Sequence, residues 1–221
     1  MTFPAKAATF AAGIGGTTTA GLGGAHLYSK ETIGNKLGDA VLGTDDSFKD
    51  SWKNQHTKLT SETEDLKDFP ELSKIKGNTN QDKSWEELKN WCSKSYSFTY
   101  KTIFSKEDNA RLNLTKKYCI QTIKERLTTL YSGNSKKVLD VTGDGDSSEF
   151  TANYKKLANH DEAKDGELTG VLSGIDKSKA DSEAAANWTK AKEWCSGIHN
   201  QPFKGQVGSF KLAEKLCVKN S

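Results

Sequence analysis

Four cysteines are the residues whose type and spacing could most directly do chemistry: Cys92, Cys119, Cys195 and Cys217. They can cross-link in an oxidising compartment or lie buried as small reduced hydrophobes. A W-x5-W-C string over residues 85–92 returns over 188–195, and an apolar-flanked Cys at 114–120 returns at 212–218. Two cysteines per segment is the parity of internal bridges. The predicted pairs are Cys92 with Cys119 and Cys195 with Cys217, each between two helices of an antiparallel hairpin.

The remaining candidates for chemistry are weaker. Asp140, Asp144 and Gly145 sit as in positions 1, 5 and 6 of a calcium loop, where hard oxygens converge around a tight turn. Thr151 stands where the bidentate Glu belongs, so the segment reads as a turn leading into a helix, with Asp146 and Glu149 near its start. Cys195 and His199 are a zinc half-site, but the first string offers Tyr96 in place of that His. No G-x-S-x-G, H-E-x-x-H or phosphate loop occurs, and Gly13, Gly15 and Gly16 lie in a small-residue tail. Catalytic, cofactor and metal residues are therefore expected to be none. The lysine doublets are interrupted by acids, which excludes a nucleic-acid stripe.

The elements that must position the cysteines are helical. Phe48, Trp52, Leu59 and Leu66 recur at spacings of four and seven after an Asp45 cap, predicting a first helix. Ser84 and Glu87 have capping-box spacing and predict a second helix, with Trp85, Leu88 and Cys92 along its seam. A third helix is expected from Asp108 to Tyr131, closed by Gly133. Phe150, Tyr154 and Leu157, then Trp188, Ala191 and Cys195, then Leu212, Leu216 and Cys217 repeat the plan. Trp91 and Trp194 fall one residue off the seam and are expected, with Trp85 and Trp188, in the structural core. Pro4, Pro70 and Pro202 mark the tail and the connections.

The expected fold is all-α: a tandem duplication of a small, disulfide-stapled helical unit behind an N-terminal segment. The predicted organisation is a signal or anchor segment at 1–30, a linker at 31–44, repeat 1 at 45–133, a connection at 134–139 and repeat 2 at 140–220. Residues 7–27 carry no formally charged side chain other than His26, in a stretch of Ala, Gly and Thr. They read as a cleaved signal, an uncleaved membrane anchor or a flexible small-residue tail. Of the whole chain, 34% is apolar and the net charge is +3, which excludes a multi-span membrane protein and a chain held open by self-repulsion.

The Ala/Gly/Thr-rich start, the two W-x5-W-C strings and the later apolar-flanked cysteines together resemble the uncharacterised paralogous proteins of hemotropic mycoplasmas. That resemblance implies a non-enzymatic, exported or surface-displayed protein, an antigen or host-contact molecule whose partner is an unknown host or surface protein. It implies no activity and no catalytic residues. The alternatives carried beside it are an intracellular helical interaction module with reduced cysteines and, less favoured, an enzyme or a calcium-binding protein.

Overall fold

The computed structural model describes residues 30–63, 65–78, 80–102, 106–132 and 136–219. The signal, anchor or tail expected at 1–30 lies outside the described residues except for Lys30, as does the Gly133 stop. No helix of the described residues is long and apolar enough to cross a membrane.

The chain is mainly helical. Two short antiparallel ladders depart from the all-α expectation: β1 (Glu31–Thr32) on β2 (Thr99–Lys101), and β3 (Lys137–Val138) on β4 (Val218–Lys219). Within 31–44, where a linker is expected, the chain forms its side of the first ladder and a short helix. Thr32 caps a short helix, α1 (Ile33–Leu37), by accepting from Asn35 N at 3.1 Å, and Ile33 is fully buried. One buried β-branched residue and one cap are too little pattern for periodicity to detect.

Asp45 accepts from Ser47 N at 2.9 Å and starts a 3₁₀ turn, Asp46–Phe48, which continues as α2 (Lys49–Ser61). Trp52 and Leu59 are buried from this helix; Leu66, expected on the same face, is buried from the loop beyond it. Pro70 does not mark a mere connection. It opens α3 (Pro70–Gly77), where its fixed φ suits the first helical position. The next helix, α4 (Gln81–Ser97), begins before the predicted Ser84 cap. The Ser84 hydroxyl is buried and donates to Asn80 O at 2.7 Å, so Ser84 closes a turn inside the helix instead of capping it.

The third predicted helix is two helices. After α5 (Asn109–Cys119) the backbone is extended at Ile120, and α6 (Ile123–Leu130) begins anew. The reason is a capping box: Thr122 Oγ1 accepts from Glu125 N at 3.1 Å and Glu125 Oε2 accepts from Thr122 N at 2.8 Å. The rest is α7 (Ser147–Lys155), the single turn α8 (Glu162–Asp165), α9 (Ala184–His199) and α10 (Ser209–Leu216).

One apolar core runs through both halves, from Trp52, Leu59 and Leu88 to Phe150, Phe203 and Leu216. Phe203 is a joint between them, edge-on to Phe48 at 5.7 Å and to Phe210 at 4.7 Å. Its amide donates to Gln121 O at 2.7 Å, and Ile123 N donates to Gln201 O at 2.9 Å, tying the start of α6 to the strand-like segment after α9. Behind α8 the backbone packs closely. Gly166 has φ +87°, and a Cβ there would sit 2.4 Å from Gly208 O.

Candidate functional site

Each W-x5-W-C helix carries its cysteine to a partner on the following helix. Cys92 on α4 meets Cys119 at the end of α5, and Cys195 on α9 meets Cys217 just after α10; both pairs are bonded with Cα atoms 5.6 Å apart. All four are fully buried. Trp85, Trp91 and Trp194 are buried, whereas Trp188 is only half-buried, stacked 6.5 Å from Phe150 at the core's edge. Its Lys192 neighbour, one helical turn on, lies over the indole at 5.8 Å.

Trp91 and Trp194 have different neighbours. In the first half a guanidinium fills an aromatic box: the Arg111 head is 4.3 Å from the Phe98 ring centre, 5.4 Å from Phe69 and 5.7 Å from Trp91. It also donates from Nη1 to Ser95 Oγ at 3.2 Å. Planar stacking with directed N–H donors is what Arg, and not Lys, supplies. In the second half Trp194 borders a pocket of about 470 Å³, lined by Val171, Glu193, Ile198, Gln201 and Ser209 among others. Trp194 Nε1 donates to Thr169 Oγ1 at 3.2 Å, which satisfies the indole and pins the ring.

A second groove, about 280 Å³, lies between α2 and α6 and is lined by Gln55, Lys58, Gln121 and Glu125. The Lys58 and Glu125 side chains pair across it at 2.6 Å. Gln55 Oε1 and Gln121 Oε1 are buried without a hydrogen-bond partner among the described residues.

The groups singled out for acid, base or metal chemistry are spent on structure. Asp140 accepts from the Thr142 amide at 2.9 Å and hydroxyl at 2.7 Å, and these bonds hold its carboxyl below the usual range. Asp146 accepts from Asp140 N at 2.7 Å, and Asp144 pairs with Lys192 at 2.6 Å. Glu149 is held down to about 2 by its hydrogen bond from Lys219, with a further one from Ser148. Among the described residues no group of three or more His, Cys, Asp or Glu is gathered as a metal site. His199 is not a ligand beside Cys195, because that sulfur is bonded to Cys217 and the ring is buried with both nitrogens unpartnered among the described residues. His160 Nδ1 lies 3.5 Å from Asp165 Oδ2, and that carboxylate is engaged by Lys215 at 2.6 Å.

Sequence reasoning missed Arg111 and Gln121. A signal for Arg111 was present: Arg111 and Arg126 are the only two arginines among 32 basic residues, and both lie against aromatic rings. Comparison with protein-family models, curated proteins and solved structures finds no match to this chain.

Proposed function

We propose that the chain is a non-enzymatic, disulfide-stapled pair of repeated helical units, exported and displayed outside the cell, where it contacts a host or surface protein. Residues 7–27 serve as its signal or membrane anchor. The observation that carries this reading is the pairing of all four cysteines, buried and without a free thiol among the described residues. Such bonds persist in oxidising compartments, and cytosolic glutathione and thioredoxin keep thiols reduced. The resemblance to the mycoplasma surface family supports the same address.

Paired contacts support the duplication, and they begin upstream of the repeated strings. Ile33 N donates to Phe98 O, and Ile123 N donates to Gln201 O, both at 2.9 Å. Leu42 N reaches Cys119 O at 3.2 Å as Leu139 N reaches Cys217 O at 2.9 Å. Lys36 lies 5.5 Å from the Tyr100 ring centre and Arg126 5.5 Å from that of Phe203. These pairs favour units of about 31–120 and 121–219, so that α6 leads the second unit as α1 leads the first.

Two measurements test the address. The intact mass of protein alkylated without reductant is expected to show no added label; four labels would remove the disulfide reading. Protease shaving of intact cells is expected to remove a C-terminal tag. A tag that survives shaving and fractionates with the cytosol favours the intracellular interaction module instead.

A further inference from the structure

We infer that the pocket over Trp194 takes the guanidinium of an arginine side chain presented by a partner protein. The inference rests on the duplication proposed above and is independent of where the protein resides. At the offset of 103 that superposes the W-x5-W-C strings, Trp91, Ser95 and Phe98 correspond to Trp194, Ile198 and Gln201. At the offset of 98 that superposes the later cysteines, Arg111 corresponds to Ser209. In the first unit these positions enclose the Arg111 head. In the second, all four border the open pocket.

The side chain that fills the first box is therefore truncated to a hydroxymethyl group in the second, where the tryptophan is kept and Ser95 and Phe98 give way to Ile198 and Gln201. A volume of about 470 Å³ is within the range of ligand sites. The charge has changed in the matching sense. Asn90 of the first unit corresponds to Glu193, an exposed carboxylate on the pocket wall with no ion pair among the described residues. Lys204, the cation on the rim, is engaged by Asp39. A guanidinium entering here meets the part of the pinned Trp194 ring that borders the pocket and an anionic wall, the combination that recognises a planar cation.

The test uses the full-length oxidised chain, 15N-labelled at tryptophan, titrated with N-acetyl-arginine-amide and separately with N-acetyl-lysine-amide. Of the five indole N–H signals, that of Trp194 is expected to shift saturably with the arginine probe, with Kd on the order of 1 mM, as suits one side chain. The lysine probe is expected to bind at least about tenfold more weakly, because an ammonium cannot stack. Glu193→Gln should weaken arginine binding about threefold to tenfold. Ser209→Arg should supply the guanidinium in cis, move the Trp194 signal without ligand and abolish binding.

Arg111→Ser separates the two layers of the argument by emptying the first box. If the arginine probe then shifts the Trp91 signal while Trp194 in the unaltered chain never responds, the first box recognises a guanidinium and the second does not, and the pocket inference falls while the proposed duplication is untouched. If neither signal responds, the pocket inference falls together with its premise that the first box binds a guanidinium. Equal binding of the two probes overturns the guanidinium assignment.

Discussion

His199 occupies the position of Tyr96 in the W-x5-W-C register, and the two side chains meet burial differently. The Tyr96 hydroxyl donates to Cys119 O at 2.8 Å, and burial pushes its ionisation up, so it stays a donor. His199 finds no partner among the described residues. Burial, reinforced by nearby Lys124, holds its ring down at about 4, against an ordinary value of 6.5. Above about 6.5 neither the folded nor the unfolded chain protonates this ring, and its contribution is intact. As pH falls from there, the unfolded chain takes the proton first, and stability declines until the folded ring also titrates near 4. The expected loss over that window is roughly 3 kcal/mol. Urea denaturation at pH 7.5 and pH 4.5 should show it, and His199→Tyr, which installs the residue found at the same register after the first W-x5-W-C string, should remove that part of the pH dependence. An equal pH dependence in the variant would place the proton elsewhere.

The helices owe their ends to local chemistry and their positions to the bridges. Thr122 decides that α5 and α6 are separate, since its side chain and that of Glu125 satisfy the first amides of α6. Thr122→Ala is expected to cost about 1 kcal/mol in thermal or urea unfolding, with the W-x5-W-C hairpin unchanged by circular dichroism. The T-x-x-E spacing was visible in the sequence but lay inside an apolar periodicity that ran on to Tyr131, and the longer pattern prevailed over the shorter one. Ser84 is the converse case, a capping-box spacing whose hydroxyl is buried against Asn80 O and serves the helix interior. The bridges close spans of 27 and 22 residues. Replacing either pair by alanine is expected to remove roughly 3 to 4 kcal/mol, measured as a lower denaturation midpoint, with m rising because the unlinked denatured chain exposes more surface.

At the scale of the molecule the halves are joined through Phe203. It touches Phe48 of the first half and Phe210 of the second, lies 5.5 Å beneath the Arg126 guanidinium and is almost completely buried. Phe203→Ala is expected to cost about 3 to 5 kcal/mol and to loosen the halves from each other. Hydrogen exchange should report this as faster exchange at Ile123 and at position 203, whose amides bond to Gln201 and Gln121 beside the Phe203 ring; protection unchanged there would assign the joint to other contacts.

The sequence by itself determined the helical character, the two W-x5-W-C segments and which cysteines were available to pair, because periodicity and residue identity are local and survive without coordinates. Tertiary structure alone decided that Trp91 packs beside a guanidinium while Trp194 borders a pocket. That difference depends on residues 20 and 15 positions away along the chain, Arg111 and Ser209, brought beside the tryptophans by the hairpins. Contacts between residues so separated leave no periodic trace, and only the folded chain places them together.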